Sequence, residues 1–172
     1  MSHTGFHKST KLPPIPKTTI HRTKNISTHT GIVLPINRKV YAFGVEWDDA
    51  SFASLEQNKD HIDSIIMEEL TLSESGFTLL APEKFKRTQK YLSDNDPDLP
   101  IHILINNYNQ TNNIWDANLL YGVLSDENKR KNLEIELTSF AIQNNVAGIN
   151  IDFEEINDTI FPYYLTFLEE FA

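Results

Sequence analysis

Four short apolar segments, each followed by a stretch of helical character, limit the fold of this chain more than any other feature. The segments are Val40–Val45, Ile65–Leu72, Ile101–Ile105 and Val146–Ile156. The nearly continuous apolar run Val40–Val45 is typical of a strand that is buried on both faces of a sheet. Strands of this kind that alternate with helices predict a parallel α/β sheet or barrel. No glycine-rich nucleotide-binding pattern follows any of them, which disfavours the nucleotide-binding versions of this architecture.

Capping and turn residues between the segments predict where the helices lie. Ser51 is expected to cap a helix that reaches Ile62, and Pro82 suits the first turn of a helix over 82–93. Gly76 marks a turn. Two further helices are expected to begin at Ser125–Glu127 and at Asp158 or Thr159, the last one continuing to Ala172. The chain therefore contains about four strand–helix units.

The fourth strand alternates strictly between apolar and polar residues. Because successive strand side chains point to opposite faces, it has one face of each kind. The apolar face carries Ile149, Ile151 and Phe153, and the polar face carries Asn150, Asp152 and Glu154. A solvated sheet edge would explain this pattern, but in a parallel sheet both faces are usually covered. A barrel resolves the conflict, because the apolar face then meets the helices and the polar face lines the lumen.

Two acids end this strand, at the place where barrel active sites are built. Their spacing brings Asp152 and Glu154 close enough to influence each other. We expect Asp152 to stay ionised inside the barrel and Glu154 at its mouth to serve as a general acid. The adjacent Glu155 points to the outer face and is expected to be structural.

The distribution of charge divides the chain and limits its partners. Residues 1–39 contain seven Lys and Arg and no acid, so residues 40–172 carry all 24 acids against eight bases, a net of −16. A domain this acidic repels phosphate backbones, so nucleic acid is not an expected partner. No run approaches 18 consecutive apolar residues, so no membrane-spanning segment is expected in this chain, and no secretory signal is visible.

The domain boundary is predicted near residue 38. Residues 1–37 form a disordered basic arm or linker rich in Ser, Thr, His, Lys and Pro, and residues 38–172 form the folded domain. Four of the six His lie in the arm at irregular spacing, and a disordered segment does not hold ligands in fixed geometry. No metal site and no cofactor are therefore expected.

The segment 148–154, Gly-Ile-Asn-Ile-Asp-Phe-Glu, resembles the catalytic strand motif of glycoside hydrolase family 18, the chitinase-like (β/α)8 TIM barrels. It is especially similar to the variant found in bacterial envelope-associated members. Residues 43–48 and 51–55 are similar to the first strand and helix of the hydrolase module in large bacterial membrane proteins that also contain a polysaccharide deacetylase and a family 2 glycosyltransferase. Three more segments follow in matching order, at 66–70, 103–107 and 126–130.

The resemblance implies a substrate class and roles for individual residues. The substrate would be a polymer of β-1,4-linked N-acetylglucosamine, such as chitin, peptidoglycan or exopolysaccharide. Glu154 would protonate the glycosidic oxygen, and Asp152 would orient the substrate's own acetamido group as the nucleophile, with Asn150 beside it. At the ends of the other strands, the residues expected to contact the sugar are Trp47, Glu46, Asn106 and Asn107. The fused domains, and a membrane-associated location in the cell envelope, are implied for the full-length protein.

The chain departs from the family pattern at three places. Ala147 and Asn150 stand where the family motif has its first two aspartates, and Asn150 removes a charge that would help Asp152 to switch between partners. The Ser-x-Gly-Gly pattern of many chitinases is replaced on the third strand by Asn106-Asn107-Tyr108.

Length sets a further expectation. A complete barrel of this kind typically needs about 250 residues, so the four units here correspond to the N-terminal half of one. We expect such a half barrel to be poorly stable and inactive alone, because it exposes strand edges and an apolar lumen.

Two alternatives to the hydrolase remain open. One is a carbohydrate-binding barrel, similar to the chitin lectins, that uses the same groove without cleavage; the retention of Glu154 favours the enzyme over it. The other is an α/β domain that binds no glycan, in which the polar strand is coincidental. Aromatic residues along the groove would count against this second alternative.

Overall fold

The computed structural model describes residues 38–172, in which helices cover one face of a largely parallel sheet. The predicted basic arm, residues 1–37, lies outside the described residues. In chain order the elements are β1 (Tyr41–Val45), α1 (Asp49–Asn58), β2 (Ser64–Ser73), β3 (Gly76–Leu79), α2 (Pro82–Asn95), β4 (Ile101–Asn106), β5 (Tyr108–Asn109), β6 (Ile114–Trp115), α3 (Ala117–Leu124), α4 (Glu127–Gln143), β7 (Gly148–Asp152) and α5 (Phe161–Phe171). None of the helices from residue 38 onward is long and apolar enough to cross a membrane.

The main sheet has the parallel order β1-β2-β4-β7, as an α/β fold with four strand–helix units requires. Within the described region β1 pairs only with β2, and β7 pairs only with β4. Both outer strands therefore leave one edge unpaired by these elements. The predicted fold class and the four predicted strands are confirmed.

The core lies between this sheet and the helices. Alternate side chains of the strands point to the helical side and pack there against apolar residues of the helices, which removes both sets from water. The strands contribute Ile65, Met67, Ile103, Ile105 and Ile151, and the helices contribute Leu55, Phe85, Leu92, Leu133, Leu137 and Phe167. This arrangement matches the predicted apolar face of the fourth strand.

The second strand is longer and less regular than the sequence predicts. Its register against β4 shifts between Glu68 and Leu70, which marks a β-bulge. Beyond the bulge β2 turns back into β3 as an antiparallel hairpin. Gly76, predicted as a turn, begins β3 with a φ of 138°, and a Cβ there would lie 1.8 Å from an oxygen of Glu136 on α4. Only glycine fits this position without a shift of Glu136.

Three element boundaries correct the sequence-based predictions. Asp48 rather than Ser51 caps α1, because its Oδ1 accepts the backbone N–H of Ala50, whereas the Ser51 hydroxyl accepts that of Val45 at 2.9 Å. The fourth strand is shorter than residues 146–156. The last helix begins at Phe161, after Asn157 has accepted the N–H groups of Thr159 and Ile160.

Candidate functional site

Side chains on the face of the sheet opposite the helices form rows that run across the strands. Parallel register places residues from each strand side by side, as in the layers of a barrel interior. One row contains Val45, Glu68, Leu104 and Asn150, and the next row toward the carboxyl ends contains Thr71, Asn106 and Asp152. The predicted polar residues of the fourth strand thus lie beside polar residues of β2 and β4.

Two grooves open above these rows. The first, here called the strand groove, has a volume of about 460 Å³ and is lined by Phe43, Gly44, Val45, Glu68, Leu104, Trp115, Asn150, Ile151 and Asp152. The second, the hairpin groove, has a volume of about 470 Å³ and is lined by Trp47, Glu68, Leu80, Asn106, Tyr108, Gln110, Asn113 and Trp115. Glu68 and Trp115 belong to both grooves, so the two spaces are neighbours.

Glu68 is the half-buried carboxylate between the two grooves. Its Oε1 accepts a hydrogen bond from Nδ2 of Asn106 at 2.9 Å, and its Oε2 lies 3.5 Å from Nε1 of Trp47. Glu68 is not among the site residues predicted from the sequence. The available signal was an acidic pair, Glu68-Glu69, inside an otherwise apolar strand, where an uncompensated charge is costly.

The second member of that pair, Glu69, points to the opposite side of the sheet. It is fully buried, and its Oε1 accepts the backbone N–H of Ala81 at 3.3 Å, while its Oε2 has no hydrogen-bond partner. Burial raises the pKa of Glu69 from its ordinary value of 4.5 to about 7; the hydrogen bond from Ala81 opposes this rise, and the negative charge of Glu46 adds to it.

Glu46 also lies on the helical side, away from both grooves. It is 3% exposed, and its Oε1 accepts the hydroxyl hydrogen of Thr88 on α2 at 2.8 Å. Among the predicted sugar-contacting residues it is the one that the fold directs into the layer between sheet and helices. The alternation along β1 accounts for this direction, because Val45 and Trp47 occupy the positions on either side.

Aromatic side chains form the walls of the hairpin groove. Trp47, a predicted sugar-contacting residue, is 70% exposed there. On the short β5–β6 hairpin, the rings of Tyr108 and Trp115 meet edge to face with centroids 5.0 Å apart. The Tyr108 hydroxyl donates to Oδ1 of Asn113 at 2.5 Å, and Asn113 adopts the left-handed φ of 54° that the turn requires. This hairpin is not among the elements predicted from the sequence.

The two predicted asparagines at the end of β4 have different surroundings. Asn106 lies in the floor of the hairpin groove and binds Glu68. Asn107 is 1% exposed and is bonded to the backbone of Glu154: its Nδ2 donates to the Glu154 carbonyl at 3.1 Å, and its Oδ1 accepts the Glu154 N–H at 2.9 Å. Both polar atoms of the Asn107 side chain are thus bonded to the backbone of the predicted acid.

The predicted catalytic residues follow one another along β7 and just beyond it. Asn150 and Asp152 line the strand groove, and the exposed Glu154 lies two residues past the end of the strand. Glu155 is exposed and has a φ of 58°, a conformation that costs a non-glycine residue roughly 1–3 kcal/mol and often occurs at functional sites. This left-handed residue turns the chain away directly after Glu154.

The grooves combine the surfaces that a carbohydrate needs. Aromatic rings offer flat apolar faces, and amides and carboxylates offer hydrogen-bonding groups of both kinds. The lining residues of both grooves include the carboxylates Glu68 and Asp152 and contain no Lys or Arg. From residue 38 to residue 172, no group of three or more His, Asp or Glu side chains is placed to hold a metal ion.

No protein-family model matches the chain. No curated protein matches it either. Solved structures do match. A class V chitinase from Pseudomonas fluorescens Pf-5 superimposes with a TM-score of 0.70 and 19% identity, over 77% of this chain and 40% of that one. The spore cortex-lytic enzyme SleL of Bacillus cereus gives a TM-score of 0.67 and 14% identity, over 77% of this chain and 31% of that one.

A third similar structure is human YKL-39, a pseudo-chitinase with retained chitooligosaccharide binding, at a TM-score of 0.63 and 11% identity, over 77% of this chain and 37% of that one. The chain thus spans about two fifths of the length of the first chitinase that it matches. The TM-scores establish a shared fold, whereas identities this low leave the activity to be argued from the site. Residues 38–172 have the α/β fold of the chitinase-like TIM barrels.

Proposed function

We propose that this chain is part of a glycoside hydrolase that acts on polymers of β-1,4-linked N-acetylglucosamine. The observation that carries the proposal is the position of Asp152 and Glu154, one in the strand groove and the other just beyond it at the carboxyl end of the same strand. Active sites of this fold are built at that end of the strands. The neighbouring aromatic and amide groups supply a surface on which a sugar can bind.

The proposed reaction uses the substrate's own acetamido group as the nucleophile. Glu154 gives its proton to the glycosidic oxygen while the bond from that oxygen to the anomeric carbon breaks, and the acetamido carbonyl oxygen bonds to the same carbon. Water then attacks the anomeric carbon and gives a proton to Glu154, and the oxazolinium ring reopens to the acetamide. Asp152 orients the acetamido group from within the strand groove, and Asn150 lies next to it. Family 18 enzymes are exceptions to the scheme with two catalytic carboxylates for this reason.

The test is hydrolysis of a chromogenic chitobioside and of peptidoglycan by the full-length protein and its Glu154→Gln variant. We expect E154Q to lose at least about 10²-fold in kcat, because glutamine keeps the shape but cannot donate the proton. Glu169→Gln is the matched control, since it makes the same change at an exposed residue of α5 and should retain activity. Unchanged hydrolysis by E154Q would refute the assignment of the acid.

The second candidate function is glycan binding without cleavage. The aromatic walls of the hairpin groove favour it, because they serve binding whether or not a bond is broken. A wild-type full-length protein that binds chitooligosaccharides and never cleaves them would establish this alternative. Aromatic lining argues against the third interpretation, a domain that binds no glycan.

We further propose that the full-length protein contains a polysaccharide deacetylase and a family 2 glycosyltransferase and is associated with the cell envelope. This proposal rests on the resemblance of residues 43–48 and 51–55 to the hydrolase module of such fusion proteins. It places the hydrolase next to enzymes that make and modify the same polymer. The complete coding sequence and fractionation of cells that produce the protein test it.

A further inference from the structure

One side chain holds the backbone at the predicted catalytic acid. Beyond Asp152 the ladder between β4 and β7 ends, because Asn106 and Asp152 are its last pair. The amide of Asn107 then takes the place of a neighbouring strand: its Nδ2 and Oδ1 bond to the C=O and N–H of Glu154 at 3.1 and 2.9 Å. Two hydrogen bonds from one planar group fix both the position and the orientation of this residue's backbone.

Asn107 is itself held in place from a third element. Its backbone carbonyl accepts the N–H of Asp116 at 2.9 Å. Asp116 caps α3, because its Oδ1 accepts a hydrogen bond from the N–H of Leu119 at 2.9 Å. Its Oδ2 accepts another from Nδ2 of Asn109 at 3.2 Å. These hydrogen bonds hold the pKa of Asp116 below its usual range, so the cap stays charged. The N-terminus of α3 thereby anchors the amide that holds Glu154.

The side chain of Glu154 is exposed, and the two hydrogen bonds that Asn107 makes to this residue act on its backbone. On one side that backbone continues from β7, and on the other it enters the left-handed turn at Glu155. A shift in the plane of the peptide at Glu154 therefore moves its carboxyl group directly. A displacement of about 1 Å at a reacting group can cost about 10²-fold in rate.

We infer that Asn107 is the positioning residue for Glu154: its side-chain amide holds the peptide of the acid at the mouth of the barrel and contacts no sugar. This inference rests on the proposed hydrolase function. It reassigns Asn107, which the sequence pattern placed among the sugar-contacting residues. The Glu154 backbone needs an N–H donor for its carbonyl and an oxygen acceptor for its N–H, and a side-chain amide supplies both.

Two variants of the full-length protein test the role. Asn107→Asp keeps the volume and the acceptor but turns an oxygen toward the Glu154 carbonyl, and Asn107→Ala removes both hydrogen bonds. We expect each to lower kcat on a chromogenic chitobioside about 10- to 100-fold and to leave KM within about threefold, since sugar contacts are retained. Asn112→Asp is the matched control, because it makes the same charge change at an exposed residue of the same loop.

A large rise in KM with unchanged kcat would overturn the inference and make Asn107 a sugar-binding residue. Unchanged kcat and KM in both variants would overturn it as well. A wild-type protein without hydrolytic activity would instead contradict the proposed function, and the positioning role can be measured without activity. In the full-length protein labelled with ¹⁵N at glutamate, the Glu154 amide should exchange with solvent slowly, and at least about tenfold faster in N107A. Equal exchange in the two proteins would show that the amide does not hold this peptide.

Discussion

Glu69 is a carboxyl group that the fold buries without a countercharge. Because its folded pKa of about 7 exceeds its ordinary value of 4.5, the folded protein binds this proton more tightly than the unfolded chain does. The free energy of unfolding should therefore fall as the pH rises from about 4.5 to 7 and stay low above that range. The residue contributes most to stability when it is protonated.

Glu69→Gln should remove this pH dependence. Glutamine resembles the protonated acid in shape and charge, so E69Q and wild type should have similar stability at pH 5, and E69Q should be more stable by about 3 kcal/mol at pH 8. Denaturant unfolding at both pH values measures the difference. Glu74→Gln, at an exposed position in the following turn, should show no such gain. If E69Q lost as much stability as wild type between pH 5 and 8, another group would be responsible.

The residues of the site were predictable where a regular period placed them. Strict alternation assigns Asn150 and Asp152 to the same face, and the structure places both in the strand groove. Alternation fails between Glu69 and Leu70, because the bulge between β2 and β4 is set by tertiary pairing and its position cannot be inferred from the local sequence. The side of the sheet on which Glu46 lies could not be predicted for a related reason. The sequence shows where the strand ends, but it does not show which face of the sheet the next side chain joins.

At the scale of elements, one buried guanidinium joins three helices. Arg130 on α4 donates from Nε to Glu170 on α5 at 2.6 Å, with a further contact from Nη2 to the same carboxylate at 3.3 Å, and its Nη1 donates to the carbonyl of Leu124 on α3 at 2.7 Å. The Arg130 side chain is nearly buried, whereas that of Glu170 is about one third exposed. Solvent therefore weakens the ion pair, but the helix-end carbonyl still depends on this donor.

Arg130→Gln should destabilise the protein by about 2 kcal/mol, because it leaves a buried carbonyl and the Glu170 carboxylate without their partner. The comparison is Lys131→Gln at the next position, where Lys131 pairs with Glu127 on the exposed surface of the same helix. That change should cost less than about 0.5 kcal/mol. Thermal unfolding of both variants measures the contrast, and equal midpoints would contradict the assigned role of Arg130.

The long elements were predictable and the short ones were not. Periodicity and capping residues identify α2 and α4 to within a few residues, since each has enough turns to show its pattern. Strands of two residues, such as β5 and β6, contain no period to detect. Their pairing depends instead on Asp116 and Asn109, which act through hydrogen bonds within a loop. The part of the aromatic wall that Tyr108 and Trp115 form was missed together with this hairpin.

At the scale of the whole molecule, the described residues cover the face of the sheet opposite the helices only in part, and its β1 side is exposed. Phe43 is 70% exposed there, and Tyr41 and Trp47 are exposed beside it. We expect the 172-residue chain alone to bind a hydrophobic dye such as ANS and to self-associate in sedimentation experiments, because this face and the strand edges left unpaired by the elements of residues 38–172 attract other chains. Phe43→Ser should reduce both effects, and Ile142→Ser on the helical surface should reduce neither. A monomer that binds no dye would contradict this expectation.

The general architecture was therefore the most predictable level. Apolar strands that alternate with helices permit few arrangements, and the parallel order of the sheet follows the order of the chain with one antiparallel addition. The sequence could not reveal β3, which lies beside β2 only because β2 extends past the end of β1. Relative strand lengths of this kind depend on packing across the whole sheet.

Glu68 and Trp115 form a shared boundary between the strand groove and the hairpin groove. A ligand that fills one groove leaves the other empty, whereas a longer chain can occupy both and loses its translational freedom only once. Affinity should then increase steeply with the number of linked sugar units until both grooves are filled, and only slightly afterwards. Under the proposed function, the shared boundary should therefore make affinity depend on the length of the polymer.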